Sequence, residues 1–449
     1  MTRPHTRFTS ATTQFVERDL AAVFALACVV LGGASAAGFI ANAALQIVAL
    51  VVIATILLRN ALPALHGPAT TGLRLLALAA ALMLAQLVPL PAALWSRLPG
   101  REEIAANLAA AGGGRPWLPV SLTPDATVAG LLSLIVPLAT MLAIFAATPK
   151  GRRRAIATVV VAALGSLAIG VAQRAGGGDA GLYPYLVTNR GSAVGLFANR
   201  NHLATLLLCA LPLTMLLHRW STTDASLADR PGRFGRHVLA GAVVAALALG
   251  VVITGSVAGW ATLVPVLAAS TMLTGPLRGW RLPRGTVSIG LVLGVAALVA
   301  LGAQGRHVPL LHGQSDAQHR PAITATTLRA AAAYLPFGAG GGSFTTLYPR
   351  QEDPRTVTPE YINHAHNDYA ETLLEFGLPG AALLAAAFFW WGKQIAGSRP
   401  PSATAATGAI LIAIVATHSG VDYPLRTAAI AMILALGIAL ISVPVTIEE

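Results

Sequence analysis

Charge is scarce in this sequence: Asp, Glu, Lys and Arg make up 11% of 449 residues, against 55% hydrophobic. So little charge cannot clothe a soluble surface of this size, and the mean hydropathy of +0.68 points to an integral membrane protein. Cysteine is nearly absent. Cys28 and Cys209 both fall inside apolar runs, where they read as small core residues, which excludes a disulfide framework and a cysteine metal site. Acids are outnumbered by bases, 18 to 30. Such a balance can signal nucleic acid, but the arginines sit in short loops between apolar runs, as topology signals do, so no nucleic-acid partner is expected. No repeat of roughly 20 to 50 residues emerges.

What is present is a series of apolar runs near the roughly 20 residues needed to cross a bilayer. Backbone amides in lipid must be satisfied within the segment, so each run reads as a helix. The expectation is an all-α polytopic membrane protein, residues 1–449 as a single membrane domain. About twelve spans are expected, centred near Ala27, Val48, Leu82, Ile135, Val161, Leu208, Ala246, Val266, Val295, Leu384, Ile412 and Ala435. Arg3 and Arg7 ahead of the first run imitate a signal peptide, but "GGASAAGFIANA" leads straight into a second run, so the first helix is read as retained.

With the N-terminus in the cytoplasm, "KGRRR" (150–154), the basic 219–236 segment and "GPLRGWRLPRG" (275–285) are all cytoplasmic, as the positive-inside rule requires. Arg97, Arg101, Arg115, Arg174, Arg190, Arg200, Arg306, Arg320, Arg329, Arg350, Arg355 and Arg426 then fall on the outer side, against that bias, and need another explanation. Three outer loops are large: 96–125, 174–200 and 304–376. In the third, 320–336 reads as a helix with Pro321 in its first turn and Pro336 just past its end. "FGAGGGSF" (337–344) follows as a flexible loop.

The polar residues concentrate in four places. In "HAHNDYAETLLEFGLPG" (364–380) a helix starts after Asn363 or His364 and stops and restarts at Gly377 and Pro379. Asp368, Glu371, Thr372 and Glu375 share one of its faces. His366 sits at its front, where the helix end favours neutral imidazole, as a general base requires. Two other readings stand beside that one. His364, His366 and Asn367 form a polar cap at the water interface, or His364, His366 and Asp368 bind zinc, although helical ligands are usually spaced i, i+4.

The second place is Asn199, Arg200, Asn201 and His202, where the chain re-enters the membrane. Polar groups there are expensive unless they line a wet or ligand-filled cavity. Arg200 either snorkels or binds an anion through its donor fork. The third is Arg320; Arg329, nine residues on, faces the other way. The fourth is "THSGVDYPLR" (417–426), in which His418 and Asp422 either pair or floor the site.

These stretches resemble the O-antigen ligase and polymerase-like family of bacterial membrane glycosyltransferases. The ligases carry His, then Asn, Ser or Gln, nine residues, Gly, two residues, and Gly, Thr or Tyr; His366, Asn367, Gly377 and Gly380 fit throughout. Arg320 followed by "PFGAGGGSF", "GLFANRNHLA" and "HSGVDYPLR" look like further family stretches, so the resemblance covers about 180–430, and more weakly "WLPVSLTPDAT". It implies transfer of a glycan from an undecaprenyl-diphosphate-linked donor to a lipid A core or a growing polysaccharide acceptor. The reaction would run at the periplasmic face of the inner membrane, without metal or other cofactor, and with inversion. Carried over by position, His366 would be the base and Arg320 a diphosphate ligand, with Arg200 or Arg190 adding charge.

The supporting residues would be Asn367, Asn201, His202, His364, Asp368, Glu375, His418 and Asp422, around a loop 304–376 acting as catalytic cap. One departure stands out: many relatives carry Arg after Ser in a "T.SR" stretch, and here Val257 follows Ser256 in "TGSVAGW". A ligase is the leading expectation, with a polysaccharide polymerase or protein O-oligosaccharyltransferase as near rivals. A polysaccharide-lipid transporter is the rival of another class.

Overall fold

The computed structural model describes residues 11–35, 40–112, 114, 116–179, 181–186, 188–223, 232–273, 315–355, 357, 362–397 and 401–443. The expectations for Arg3, Arg7, Arg115, Arg230, Arg306, the 275–285 loop, the span near Val295 and the first part of the 304–376 loop lie outside these residues.

The described chain is almost wholly helical. In order it runs α1 Ala11–Arg18, α2 Leu20–Leu31, α3 Ile40–Leu58, α4 Pro68–Leu87, α5 Ala92–Trp95, α6 Glu102–Ala110, α7 Pro124–Ser133, α8 Ile135–Ala146 and α9 Pro149–Gly176. It continues through α10 Arg200–Thr223, α11 Arg233–Thr254, α12 Val257–Leu273, α13 Ser315–Tyr334, α14 Phe344–Gln351, α15 Asp368–Ile395, α16 Ala403–Ser419 and α17 Ala428–Ser442. One antiparallel pair, β1 Pro89–Leu90 on β2 Leu118–Pro119, closes the first outer loop.

Seven segments among the described residues are long and apolar enough to cross a membrane. The apolar helices α2, α12, α16 and α17 are shorter, at 10 to 17 residues. Together they contain eleven of the twelve expected centres, the twelfth being the one near Val295. The most enclosed is α10, with 78% of its apolar window buried inside the protein. It packs against α9, α11, α12 and α16, so its polar first turn is carried into the interior.

A second, smaller core lies apart from the bundle. Ile323, Ala330 and Tyr334 of α13, Phe344, Leu347 and Tyr348 of α14, and Leu374 of α15 pack together, which gives the 315–376 segment its own apolar anchor. Arg101 ties it to the first outer loop. Fully buried, it donates to Val120 O at 2.6 Å, Gly338 O at 3.0 Å and Pro99 O at 2.9 Å. Burial lowers its pKa to about 10, and it stays charged at neutral pH. Its role is therefore structural.

Three sequence expectations are corrected here. The outer helix starts at Ser315, so Pro321 lies inside it. The 364–380 helix starts at Asp368 with Asn367 as its cap, accepting from the amides of Tyr369 and Ala370, so His366 precedes the helix. The glycine loop is packed rather than flexible: Ala339 N donates to Leu374 O, Gly340 N to Glu375 O, both at 2.9 Å, and Gly341 N to Gln86 Oε1 at 3.1 Å.

The stop and restart at Gly377 is seen as a left-handed kink (φ 59, ψ −147) inside α15. It turns Leu378 N onto Pro336 O at 2.8 Å. A Cβ there would lie 2.2 Å from Pro336 O, so both backbone angle and close approach require glycine. Gly377→Ala is expected to destabilise the purified protein by about 1–3 kcal/mol through the strained φ alone, more with the clash. Gly165→Ala, in the interior of α9 with nothing near, should leave the melting temperature unchanged or raised. Thermal unfolding in detergent checks both.

Candidate functional site

The loops 33–35, 96–122, 189–201, 338–342, 362–367 and 420–426 meet at one end of the bundle. Gly33 O accepts from Ala198 N at 3.1 Å, Gly32 O from Ala429 N at 3.0 Å and Ser121 N donates to Gln86 O at 2.9 Å. The opposite end carries the basic segment: Arg154 pairs with Asp19, and Arg153 lies over Trp220 at 5.3 Å.

At the first end, Asp422 is buried and central. Its Oδ1 lies 3.1 Å from His366 Nδ1, its Oδ2 accepts from Asn201 Nδ2 at 2.5 Å, and Arg320 Nη1 stands 3.9 Å from Oδ2. Arg320 also donates to Val421 O at 2.8 Å, while its Nε is buried without a hydrogen-bond partner. Burial opposes a charge on Asp422, but the Arg320 guanidinium and the His366 hydrogen bond hold its carboxyl well below the usual carboxylate range. A carboxylate accepts, so His366 Nδ1 donates. Nε2 has no hydrogen-bond partner among the described residues, and the side chain is 16% exposed. The ring is oriented by Asp422 with its second nitrogen unpartnered among the described residues, the arrangement a general base needs.

His364, two residues away, is arranged differently. Its Nδ1 lies 2.8 Å from Glu371 Oε1 and its Nε2 2.9 Å from Ser35 O. Both partners accept, so both nitrogens donate and the ring is an imidazolium. Burial disfavours that charge, yet the Glu371 carboxylate raises the His364 pKa above its ordinary value. His364 is a structural cation.

The shared face of Asp368, Glu371 and Glu375 is buried. Arg426 meets it, with Nη2 3.2 Å from Glu371 Oε1 and 3.0 Å from Glu375 Oε2, and Nε 3.8 Å from Asp368 Oδ1. Burial works against the Arg426 charge, and Glu371, Glu375 and Asp368 more than restore it. Asp368 also accepts from Ser419 Oγ at 2.8 Å, and Glu375 Oε1 from Gly342 N at 2.9 Å.

The other expected site residues are placed by their partners. Asn201 and Asn367 join the cluster, the latter donating to Gly420 O at 3.0 Å. His418 and Asp422 do not pair through their side chains. The His418 ring lies between Thr205 Oγ1 at 2.7 Å and Thr262 Oγ1 at 3.1 Å, stitching α16 to α10 and α12. His202 is fully buried, packed edge-on to Tyr423. Arg200 opens α10 between two asparagines of the cluster, its amide donating to Asn189 Oδ1 at 3.1 Å. Arg190 lies in its own loop, donating to Gly178 O at 3.2 Å, with its guanidinium over the Tyr183 ring. Val257 begins α12 and is 37% exposed.

His364, His366 and Asp368 turn to separate partners, which leaves the zinc reading without a shared centre; among the described residues no three His, Cys, Asp or Glu are grouped to hold a metal ion. Sequence reasoning missed Arg426, Tyr423, Gln86 and the Ser35 carbonyl as parts of the site. Three acids on one face of a helix entering an apolar bundle do demand a cation, and that signal could have found Arg426.

Residues 242–385, about a third of the chain, match the family described as O-Antigen ligase. That segment holds the second part of α11, all of α12, α13 and α14, His366 and the kink at Gly377. The chain thus carries an O-antigen ligase-like segment, together with helices long and apolar enough to cross a membrane. No curated protein matches the chain.

Two stability outcomes are expected. Because the His364 pKa is raised on folding, its contribution is full below the ordinary imidazole value of about 6.5 and is lost as pH rises through the folded value. The melting temperature should fall from pH 6 towards pH 9, and His364→Gln should flatten that slope. Arg426→Gln leaves Glu375 buried without a cation and Glu371 with His364 alone, and should cost about 3–5 kcal/mol, read as a lower melting temperature.

Proposed function

We propose that this chain, with its O-antigen ligase segment at 242–385, transfers a glycan from undecaprenyl diphosphate to an acceptor hydroxyl at the periplasmic face of the inner membrane. The observation that carries the reading is the Asp422–His366 pair, with Nε2 of His366 unpartnered and Arg320 beside it.

His366 Nε2 takes the acceptor O–H proton as the acceptor oxygen attacks the anomeric carbon. The bond from that carbon to the diphosphate oxygen breaks, and the electron pair leaves with the lipid diphosphate. The imidazolium that forms is stabilised by the Asp422 carboxylate, then returns its proton to water. A single displacement of this kind inverts the anomeric centre. Arg320 lies beside Asp422 with donor capacity left over, and Arg200 stands at the positive end of α10, so both suit the departing diphosphate. Arg190 is already engaged in its own loop and contributes less directly. Fixed guanidinium groups supply the charge stabilisation, so the step invokes no metal ion. Val257, where many relatives have arginine, leaves that task to Arg320 and Arg200.

The outer placement rests on charge: the basic 150–154 segment lies at the bundle end opposite His366, as the positive-inside rule places it. Ligation to a lipid A core is the leading reaction because the His366, Asn367, Gly377, Gly380 spacing follows the ligases. Polymerisation on the same carrier uses the same chemistry. The buried ionisable groups gather at one end of the spans, which favours catalysis over transport.

His366→Ala and Asp422→Asn should each lower turnover by about 10²–10⁴-fold, measured as consumption of carrier-linked glycan by purified protein. Wild-type turnover by His366→Ala removes the base. In a strain lacking the gene, carrier-linked polymer without attachment identifies a ligase, and single repeat units identify a polymerase.

A further inference from the structure

Tyr423 is buried, and three imidazoles from two parts of the chain meet its ring. His364 lies 4.4 Å away between centroids with planes at 39°, His366 at 4.9 Å and 66°, and His202 at 5.2 Å and 85°. The hydroxyl at the far end is held by Asn199 Nδ2 at 3.4 Å and by Asn363. Burial and the neighbouring Asp422 charge push that hydroxyl up to about 12, so it neither gives nor takes a proton near neutral pH.

His366 depends on outside support. Its backbone is left-handed (φ 50) and it stands before α15 rather than in it. Its side-chain hydrogen bond among the described residues is the one to Asp422. One hydrogen bond sets a distance but leaves the ring free to turn about that axis; a ring packed on its side sets the plane as well. Asp422 and Tyr423 are consecutive, and the loop carrying them is closed by Asp422 N to His418 O at 2.8 Å and Arg426 N to Tyr423 O at 3.1 Å. Distance and plane are therefore delivered by one loop.

The other two histidines brace the brace. His364 is pinned at both nitrogens, and a cationic ring beside the tyrosine is attracted to its π cloud. His202 has neither nitrogen hydrogen-bonded and serves here as an apolar-packed ring between Phe197, at 6.4 Å, and Tyr423.

We propose that Tyr423 is a positioning residue that fixes the ring plane of His366, with His202 and His364 holding Tyr423 in place. This rests on the reading of His366 as the base. Misplacing a reacting group by about 1 Å can cost about 10²-fold in rate, and such a loss falls on kcat when substrate binding is untouched.

The test uses full-length protein in detergent, with carrier-linked glycan extracted from a strain lacking the gene as donor and that strain's own acceptor. Tyr423→Leu should lower kcat by about 10–100-fold with the donor KM within about twofold. Tyr423→Phe, which keeps the ring, should recover at least about tenfold of that loss. The double variant His366→Ala with Tyr423→Leu should be no slower than His366→Ala alone, since a positioning residue acts only through the group it positions. If Tyr423→Leu fails to fold, Tyr423→Met fills the volume without a ring and takes its place.

Wild-type kcat in the ringless variant, a raised KM at unchanged kcat, or a double variant slower than His366→Ala each overturns the proposal. The two readings separate cleanly. Full activity in His366→Ala removes the base itself, whereas an inactive His366→Ala beside a fully active Tyr423→Leu removes only the role of Tyr423.

Discussion

Four buried carboxylates, Asp368, Glu371, Glu375 and Asp422, stand at one end of an apolar bundle, and each must be matched there by a cation or by hydrogen bonds. A lone ionised carboxyl in such a medium is too costly to persist. The matching is done by few groups. Arg426 serves the three acids of α15, His364 adds a second cation to Glu371, and Arg320, Asn201 and His366 converge on Asp422. The loops that carry these cations come from distant parts of the sequence, so satisfying the acids also assembles the site. A pair of this kind adds little net stability over an apolar core; what it supplies here is a fixed geometry.

The glycines let the backbone come near enough for that matching. Gly338 and Gly340 have left-handed φ values of 78 and 108, and a Cβ at either would lie 2.5 Å from Glu375 O or 2.2 Å from Ser121 Oγ. Gly377 answers from the other side with its kink toward Pro336. The interval from His366 to Gly377 in the motif thereby acquires a physical meaning. It is the length of helix that carries Glu371 and Glu375 past Arg426 before the chain must turn aside for the glycine loop. Gln86 completes the arrangement, donating to Glu375 O at 2.8 Å while accepting from Gly341.

Much of this was legible in the sequence, and the rest had identifiable reasons for being hidden. Hydropathy located the apolar helices, because a segment in lipid has one way to satisfy its amides. The clustering of Asn201, Asp422, His366 and Arg320 was visible as four polar stretches on one side. What could not be read was pairing. Arg426 lay in a quoted stretch, but nothing in one dimension shows that it faces α15, and Arg190 looked equivalent to Arg320 until its own loop proved to hold it. Backbone partners such as the Ser35 carbonyl carry no residue signature. Tyr423 reads as an ordinary interfacial tyrosine until three histidines are found around it. The glycine loop misled in the opposite direction, since glycine written in sequence suggests freedom and here permits close contact.

The two histidines of "HAH" show why residue type alone cannot assign a base. Both face a buried carboxylate through Nδ1, at 2.8 Å for His364 and 3.1 Å for His366. Nε2 separates them. On His364 it meets a carbonyl, which can only accept, so the ring keeps both protons and has no lone pair to offer. On His366 it meets no partner among the described residues, so that nitrogen is open to an incoming group. Two residues of backbone separate a structural cation from a candidate base, and the second ring meets Asp422 from a backbone with left-handed φ at His366. The strain of that φ, about 1–3 kcal/mol for a non-glycine residue, persists only because Asp422 and Tyr423 hold the ring where the backbone delivers it.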